Sequence, residues 1–222
     1  MSTHRHAAQF STLKPGIGSY TLPWAVGVSG SPPATPLRPL DLLQAAAGLG
    51  VGVVQICDNM PLHRLPDSEL DGLAQRAGQL GIGLEVGTRG LDPGHLRQYL
   101  EIADRLGSTI LRLVVDSPGQ TPTDAEIASA LAQAAPHFEK AGIVLAIENH
   151  GRHPSRQLVG MVDRLDSPAV GICLDTANSL GALERPEETI ETLAPWAVNL
   201  HLKDFTIRRL GHQFGYIVEG CP

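Results

Sequence analysis

The sequence predicts an α/β fold, a TIM (β/α)8-type barrel represented by about seven strands, and three observations lead there. Short apolar runs rich in Val, Ile and Leu alternate with stretches of helical periodicity from about Pro39 onward. The strand candidates are near-continuous apolar runs rather than alternating ones, which is the pattern of a parallel sheet covered by helices. Three of these runs end on polar segments about 26 or 27 residues apart, one βα unit each: Ile147-Glu148-Asn149-His150, Leu174-Asp175-Thr176-Ala177-Asn178 and His201-Leu202-Lys203-Asp204. Polar residues at the C-terminal ends of consecutive parallel strands stand where barrel enzymes place their chemistry.

The elements follow in order. A short strand is expected around Ile17–Tyr20, then an irregular Pro-, Ser- and Gly-rich loop over Val28–Pro39 that could serve as a lid. Helices are expected at about 39–49, 67–80, 93–106, 123–141, 155–165 and 186–194, and strands at about 51–57, 82–87, 109–115, 143–149, 170–175 and 197–203. Capping residues mark two helix starts, Pro66-Asp67-Ser68-Glu69 and Pro122-Thr123-Asp124-Ala125-Glu126. Glycine follows three helix ends, at Gly81, Gly107 and Gly142. No interdomain linker interrupts the pattern, so residues 1–222 are expected to form one domain, with residues 1–14 as a tail.

With 42% hydrophobic and 18% charged residues, the 222-residue chain can fill a core of this size. A formal charge of −6 and the lack of a Lys/Arg cluster argue against nucleic acid as a partner. No run of about 18 apolar residues exists to span a membrane, and the N-terminus lacks the apolar segment of a signal peptide. Three cysteines without a C-x-x-C pair, two of them in apolar runs, fit buried thiols in a reducing cytoplasm.

Strand parity turns the motifs into a site. Side chains alternate along a strand, so Glu148 facing the interior takes Ala146 and Val144 with it. Asp175 goes with Cys173 and Gly171, and His201 with Asn199 and Lys203. Ile147, Leu145, Leu174, Ile172, Val198, Leu200 and Leu202 then face the helices. The same parity puts Gln55, Glu85 and Arg112 inside earlier strands. Two carboxylates and an imidazole converging there suit one divalent ion, Mn²⁺, Mg²⁺, Co²⁺ or Zn²⁺; a polar plug at the barrel end would equally need its charges paired. Arg112 is expected either to contact substrate or to pair with Glu85. Asp58 and Asn59 close strand two in a supporting or loop-capping role. His63, His95 and His137 are expected at the surface.

The segments IEN, LDTAN and HLKD, in this order and spacing, resemble the xylose-isomerase-like TIM-barrel superfamily of sugar isomerases and epimerases, over essentially Ile17 to Pro222. The resemblance implies metal ligation by Glu148, Asp175 and His201, a substrate-side role for Lys203, and Glu148 as the base that removes a proton alpha to a carbonyl. His150, Arg152, Arg112, Gln55, Glu85 and Asn178 are the expected substrate contacts. The family's fourth ligand, a glutamate on strand eight, has no counterpart here; Glu219 is the one later carboxylate, so the chain reads as a C-terminally truncated member. An open barrel edge favours self-association into a homo-oligomer, and the missing ligand predicts weak metal binding and low turnover. Asn178 stands where ketose 3-epimerases and endonuclease IV carry histidine, which counts against both a free-ketose epimerase and a nuclease.

The leading expectation is a metal-dependent isomerase or epimerase of a small sugar or sugar acid, working through an enediolate. The cationic rim of Arg112, His150, Arg152 and Lys203 favours an anionic substrate. The alternatives are a metal-dependent decarboxylase of a 3-oxo sugar acid and an inactive sugar-binding fragment.

Overall fold

Seven parallel strands line up in chain order: β1 (Gly16–Gly18), β2 (Val53–Ile56), β3 (Gly83–Arg89), β4 (Ile110–Val114), β5 (Val144–Glu148), β6 (Val170–Asp175) and β7 (Ala197–His201). This computed structural model describes residues 13–210 and 214–219, with side chains as far as Asp204. The expected tail over residues 1–14 falls almost wholly outside the described residues, as does Cys221. One helix precedes each of β3 to β7: α3 (Asp67–Leu80), α4 (Pro93–Arg105), α5 (Asp124–Ala141), α6 (Ser155–Leu165) and α7 (Pro186–Leu193). Two helices, the short α1 (Pro23–Val26) and α2 (Pro39–Leu49), fill the first crossover.

The elements form where composition favours them. Thr123 caps α5 reciprocally: its Oγ1 accepts from the Glu126 N–H at 3.3 Å, and the Glu126 carboxylate accepts from the Thr123 N–H at 2.7 Å. Gly142, at φ +68°, then ends that helix in the left-handed conformation that a Cβ would strain. The side-chain capping expected within Pro66-Asp67-Ser68-Glu69 does not form. Pro66 occupies the N-cap without a side-chain hydrogen bond, and Asp67 and Glu69 lie in the first turn, where a carboxylate meets the positive end of the helix dipole.

Strand parity holds on the helix side of the sheet. Val54, Ile56, Leu84, Val86, Leu111, Leu113, Leu145, Ile147, Ile172 and Leu174 join one buried cluster with Leu42, Leu43, Leu73, Leu131, Phe138 and Leu158 of the helices. The expectation fails at β7. Leu200 is exposed and Leu202 is 83% exposed, rather than packed under a helix. β7 is the last strand in the sheet order, and no described helix follows to cover it.

Contacts across the interior show that the sheet curls. Gln55 on β2 and Glu85 on β3 both hydrogen-bond to Asn199 on β7, at 3.3 and 2.8 Å, although β7 stands at the far end of the strand order. A flat sheet would keep these strands far apart, since neighbours are spaced by about 4.8 Å. The result is a TIM-barrel-like but incomplete barrel. Among the described residues no hydrogen-bonded ladder joins β1 to β7. Beyond β7 an antiparallel hairpin follows, β8 (Phe205–Leu210) with β9 (Phe214–Glu219). Glu219 ends β9, and its side chain lies outside the described residues.

Candidate active site

Backbone anchoring at the strand ends comes first. Asn149, fully buried, accepts from the Asp175 N–H at 2.6 Å and donates to the Asp175 carbonyl at 2.8 Å, so the ends of β5 and β6 are clamped together. It also donates to Ser179 Oγ at 2.9 Å. Asp175 Oδ1 accepts the N–H groups of Ala177 and Asn178, both at 2.9 Å, which turns its other oxygen into the interior. Across the barrel, the Ser19 hydroxyl accepts from the Cys57 N–H at 3.0 Å and donates to Asn59 at 2.5 Å, tying β1 to the end of β2.

His201 then meets Glu148 on one side and Asp175 on the other. His201 Nδ1 lies 3.4 Å from Glu148 Oε2 and 3.8 Å from Asp175 Oδ2. Ligand atoms about 2.1 Å from a shared ion are themselves roughly 3.0–3.5 Å apart, so the first separation fits and the second is slightly wide. One feature of this donor set fits a cation. Asp175 Oδ2 is buried and accepts no well-aligned hydrogen bond, although the Lys203 ammonium stands 3.0 Å away. Among the described residues the donor atoms that lie within 4.8 Å of one another are those of Glu148, His201 and the buried Cys173 thiol, which stands two residues before Asp175 on the same face of β6; Asp175 is outside that group. Burial pushes the Cys173 thiol well above its ordinary range, so it is a protonated neighbour of the oxygen and nitrogen donors.

Both oxygens of Glu148 are engaged. Arg112 Nε donates to Oε2, and Asn178 Nδ2 donates to Oε1 at 2.7 Å. Burial raises the Glu148 carboxyl, but the His201 and Arg112 partners outweigh it and hold the group well below the usual carboxylate range. Arg112 reaches onward to Asp58 Oδ1 at 2.9 Å, not to Glu85 as one expectation had it. Gly87 makes room for this, since a Cβ there would come within 2.8 Å of Cys57 Sγ and 3.3 Å of Arg112 Cδ. Lys203 Nζ bridges Asp175 and Asn178 Oδ1, the latter at 2.8 Å.

The remaining expected contacts divide. Gln55 and Glu85 lie inside but direct their polar atoms to each other, to Asn199 and to His201. His150 is half-buried at the strand ends. Burial, together with Arg112, Arg89 and Lys203, holds its imidazole below the ordinary range against the pull of Glu148. Arg152 turns away: it donates to Asp116 at 2.8 Å and to the Pro122 carbonyl at 2.5 Å, lacing the loops after β4 and β5 together.

Arg89 was missed by the sequence reading, although the signal was present. It is the last residue of β3 and shares its inward face with Glu85 and Gly87, one step beyond where the parity was applied. Its Nε sits 3.3 Å from Asp58 Oδ2 and is buried without a well-aligned hydrogen bond. His63 and His95 are not free surface histidines either. His63 Nδ1 meets the buried Tyr99 hydroxyl at 2.9 Å, and His95 Nε2 meets Thr88 Oγ1 at 2.8 Å. His137 is exposed, as expected.

Known proteins share this fold. A 3-oxo-isoapionate decarboxylase of Pectobacterium atrosepticum is 40% identical over 206 residues, covering 93% of this chain and 74% of that protein. The crystal structure of D-psicose 3-epimerase with D-tagatose from Clostridium cellulolyticum H10 superposes with a TM-score of 0.71 at 16% identity, over 86% of this chain and 73% of that one. A structure of the IolI protein with a zinc atom gives 0.66 at 19% identity, over 91% and 77%. At such identities these two structures speak for the fold. The profile of the xylose isomerase-like TIM barrel matches residues 43–222, and with the decarboxylase relative it establishes that this chain belongs to the xylose isomerase-like TIM-barrel family.

Proposed function

We propose that the protein is a metal-dependent decarboxylase of a 3-oxo sugar acid. The observation that carries this reading is the engagement of both Glu148 oxygens, by Arg112 and by Asn178. Isomerisation or epimerisation needs a base that takes a proton from carbon, and a carboxylate held by a guanidinium and an amide is a weak one. Loss of carbon dioxide from a 3-oxo acid needs no such base. The electron pair of the breaking carbon–carbon bond passes to the ketone oxygen, and the carbon left behind then takes a proton. The likeness to the 3-oxo-isoapionate decarboxylase supports the same choice between the two reactions.

Charge points to an acid as substrate. Four carboxylates (Asp58, Glu85, Glu148, Asp175) share the interior with two guanidinium groups (Arg89, Arg112) and the Lys203 ammonium. A divalent ion held by Glu148, Asp175 and His201 would polarise the ketone when bound. It would also leave the pocket one formal charge positive, a match for one substrate carboxylate. Arg89 and His150 are the groups with donors left to hold that carboxylate. Lys203, with a third of its side chain exposed and its ammonium aligned by Asn178, is placed to deliver the proton and recover it from water. Free buried thiols at Cys57 and Cys173 fit a reducing cytoplasm.

The epimerase reading keeps the support of fold neighbours such as D-psicose 3-epimerase. Incubation with 3-oxo sugar acids and Mn²⁺ separates the two. Release of carbon dioxide is expected; solvent deuterium entering a ketose with no carbon loss would overturn the decarboxylase reading.

A further inference from the structure

We infer that Gln55, Glu85 and Asn199 form a relay that fixes the tautomer of His201 and so presents its Nδ1 lone pair to Glu148 and Asp175. This deepens the metal-site reading and rests on it for its purpose, though not for its structure. Every donor and acceptor in the relay has one consistent assignment. Glu85 Oε2 accepts from both amides, Gln55 Nε2 at 2.9 Å and Asn199 Nδ2 at 2.8 Å. The second N–H of Gln55 goes to Asn199 Oδ1 at 3.3 Å, where the Cys173 thiol also donates. Gln55 Oε1 is thereby turned to His201 Nε2 at 2.8 Å and takes a further donor from the Cys57 thiol.

Flipping the Gln55 amide would set oxygen against oxygen at both Glu85 and Asn199. The amide therefore presents an acceptor to His201, and Nε2 must carry the hydrogen. In the neutral ring Nδ1 is then the lone-pair nitrogen, and it faces two carboxylates at 3.4 and 3.8 Å. A lone pair among carboxylate oxygens is repulsive unless a cation lies between them, either a proton on Nδ1 that lets His201 donate to Glu148 and hold its carboxyl low or a metal ion in that proton's place, which is the arrangement a metal ligand requires. These residues are positioning residues: they act on the ion through His201.

The test uses the whole chain, free of metal, with ¹⁵N-labelled histidine; the His201 signals are assigned with a His201→Gln variant and followed to the neutral plateau. The expected form is the Nε2–H tautomer. Glu85→Gln removes the pure acceptor, lets both amides flip, and should give a mixture of tautomers. The double variant Gln55→Glu/Glu85→Gln should restore the Nε2–H form, because a carboxylate at position 55 can only accept. Titration with Mn²⁺ and Zn²⁺ should show affinity lower by about 10–100-fold in Glu85→Gln and partly recovered in the double variant, each variant being checked for native circular dichroism. An Nδ1–H form in the wild type, or an unchanged tautomer in Glu85→Gln, overturns the relay. The expected tautomers without any wild-type metal binding would leave the relay standing and remove the metal-site reading instead.

Discussion

Arg89 combines a buried Nε, an incomplete pairing with Asp58 and a side chain about one third exposed. A guanidinium in that state has donors to offer an incoming anion, and charge-assisted hydrogen bonds contribute about 1.5–3 kcal/mol. Arg89→Ala should raise KM for an acidic substrate by roughly 10–100-fold, and Arg89→Lys should recover part of the loss as a point charge without the fork. Equal kinetics in wild type and Arg89→Ala would remove it from substrate binding. Lys203 invites a different split. Its ammonium occupies Asp175 Oδ2, where it competes with any metal cation, so Lys203→Met should retain or tighten Mn²⁺ binding while turnover falls. Parallel loss of metal and turnover would assign it a structural role.

At the scale of elements, spacing makes the strands and helices readable, and strand parity puts Gln55, Glu85, Arg112, Glu148, Asp175, His201 and Lys203 on one face from the sequence alone. Parity says which face a side chain takes, not which neighbour it meets. Arg112 could not be assigned to Glu148 and Asp58 rather than Glu85 because that choice depends on how far the sheet curls. Arg152 escaped for a related reason: its partners Asp116 and Pro122 lie on another loop, and loop approach leaves no periodicity in sequence. Glycine within β3 is the element-scale device that lets Arg112 lie flat against its neighbour strand. Gly87→Ala should push Arg112 off Glu148 and destabilise the fold by about 1–3 kcal/mol, the usual range for overpacking. A crystal structure of the variant with the Arg112–Glu148 pair intact would contradict this account.

For the molecule as a whole, Glu148 couples charge to stability. Burial alone would raise its carboxyl, yet His201 and Arg112 hold it well below the ordinary range in the folded state. A carboxylate depressed on folding contributes stability that is fully present above its unfolded pKa of about 4.3 and is lost as pH falls toward the native value. Glu148→Gln should therefore be less stable than wild type at neutral pH, because Arg112 loses one of its two buried partners; removing one member of a buried pair costs about 3–5 kcal/mol, less here since Asp58 remains. The difference between the two proteins should stay flat down to about pH 5 and then shrink as acid protonates the wild-type carboxylate. Urea midpoints of both proteins in metal-free buffer across that range test the claim. A stability gap that persists unchanged into strong acid would mean that the side chain at position 148 acts through packing rather than charge. Repeating the series with Mn²⁺ should widen the neutral-pH gap, since a ligand that binds only the folded wild type adds RT ln(1 + [L]/Kd), about 2.7 kcal/mol at a hundredfold excess. That addition should vanish in acid, where the proton and the metal compete for the same carboxylate oxygens.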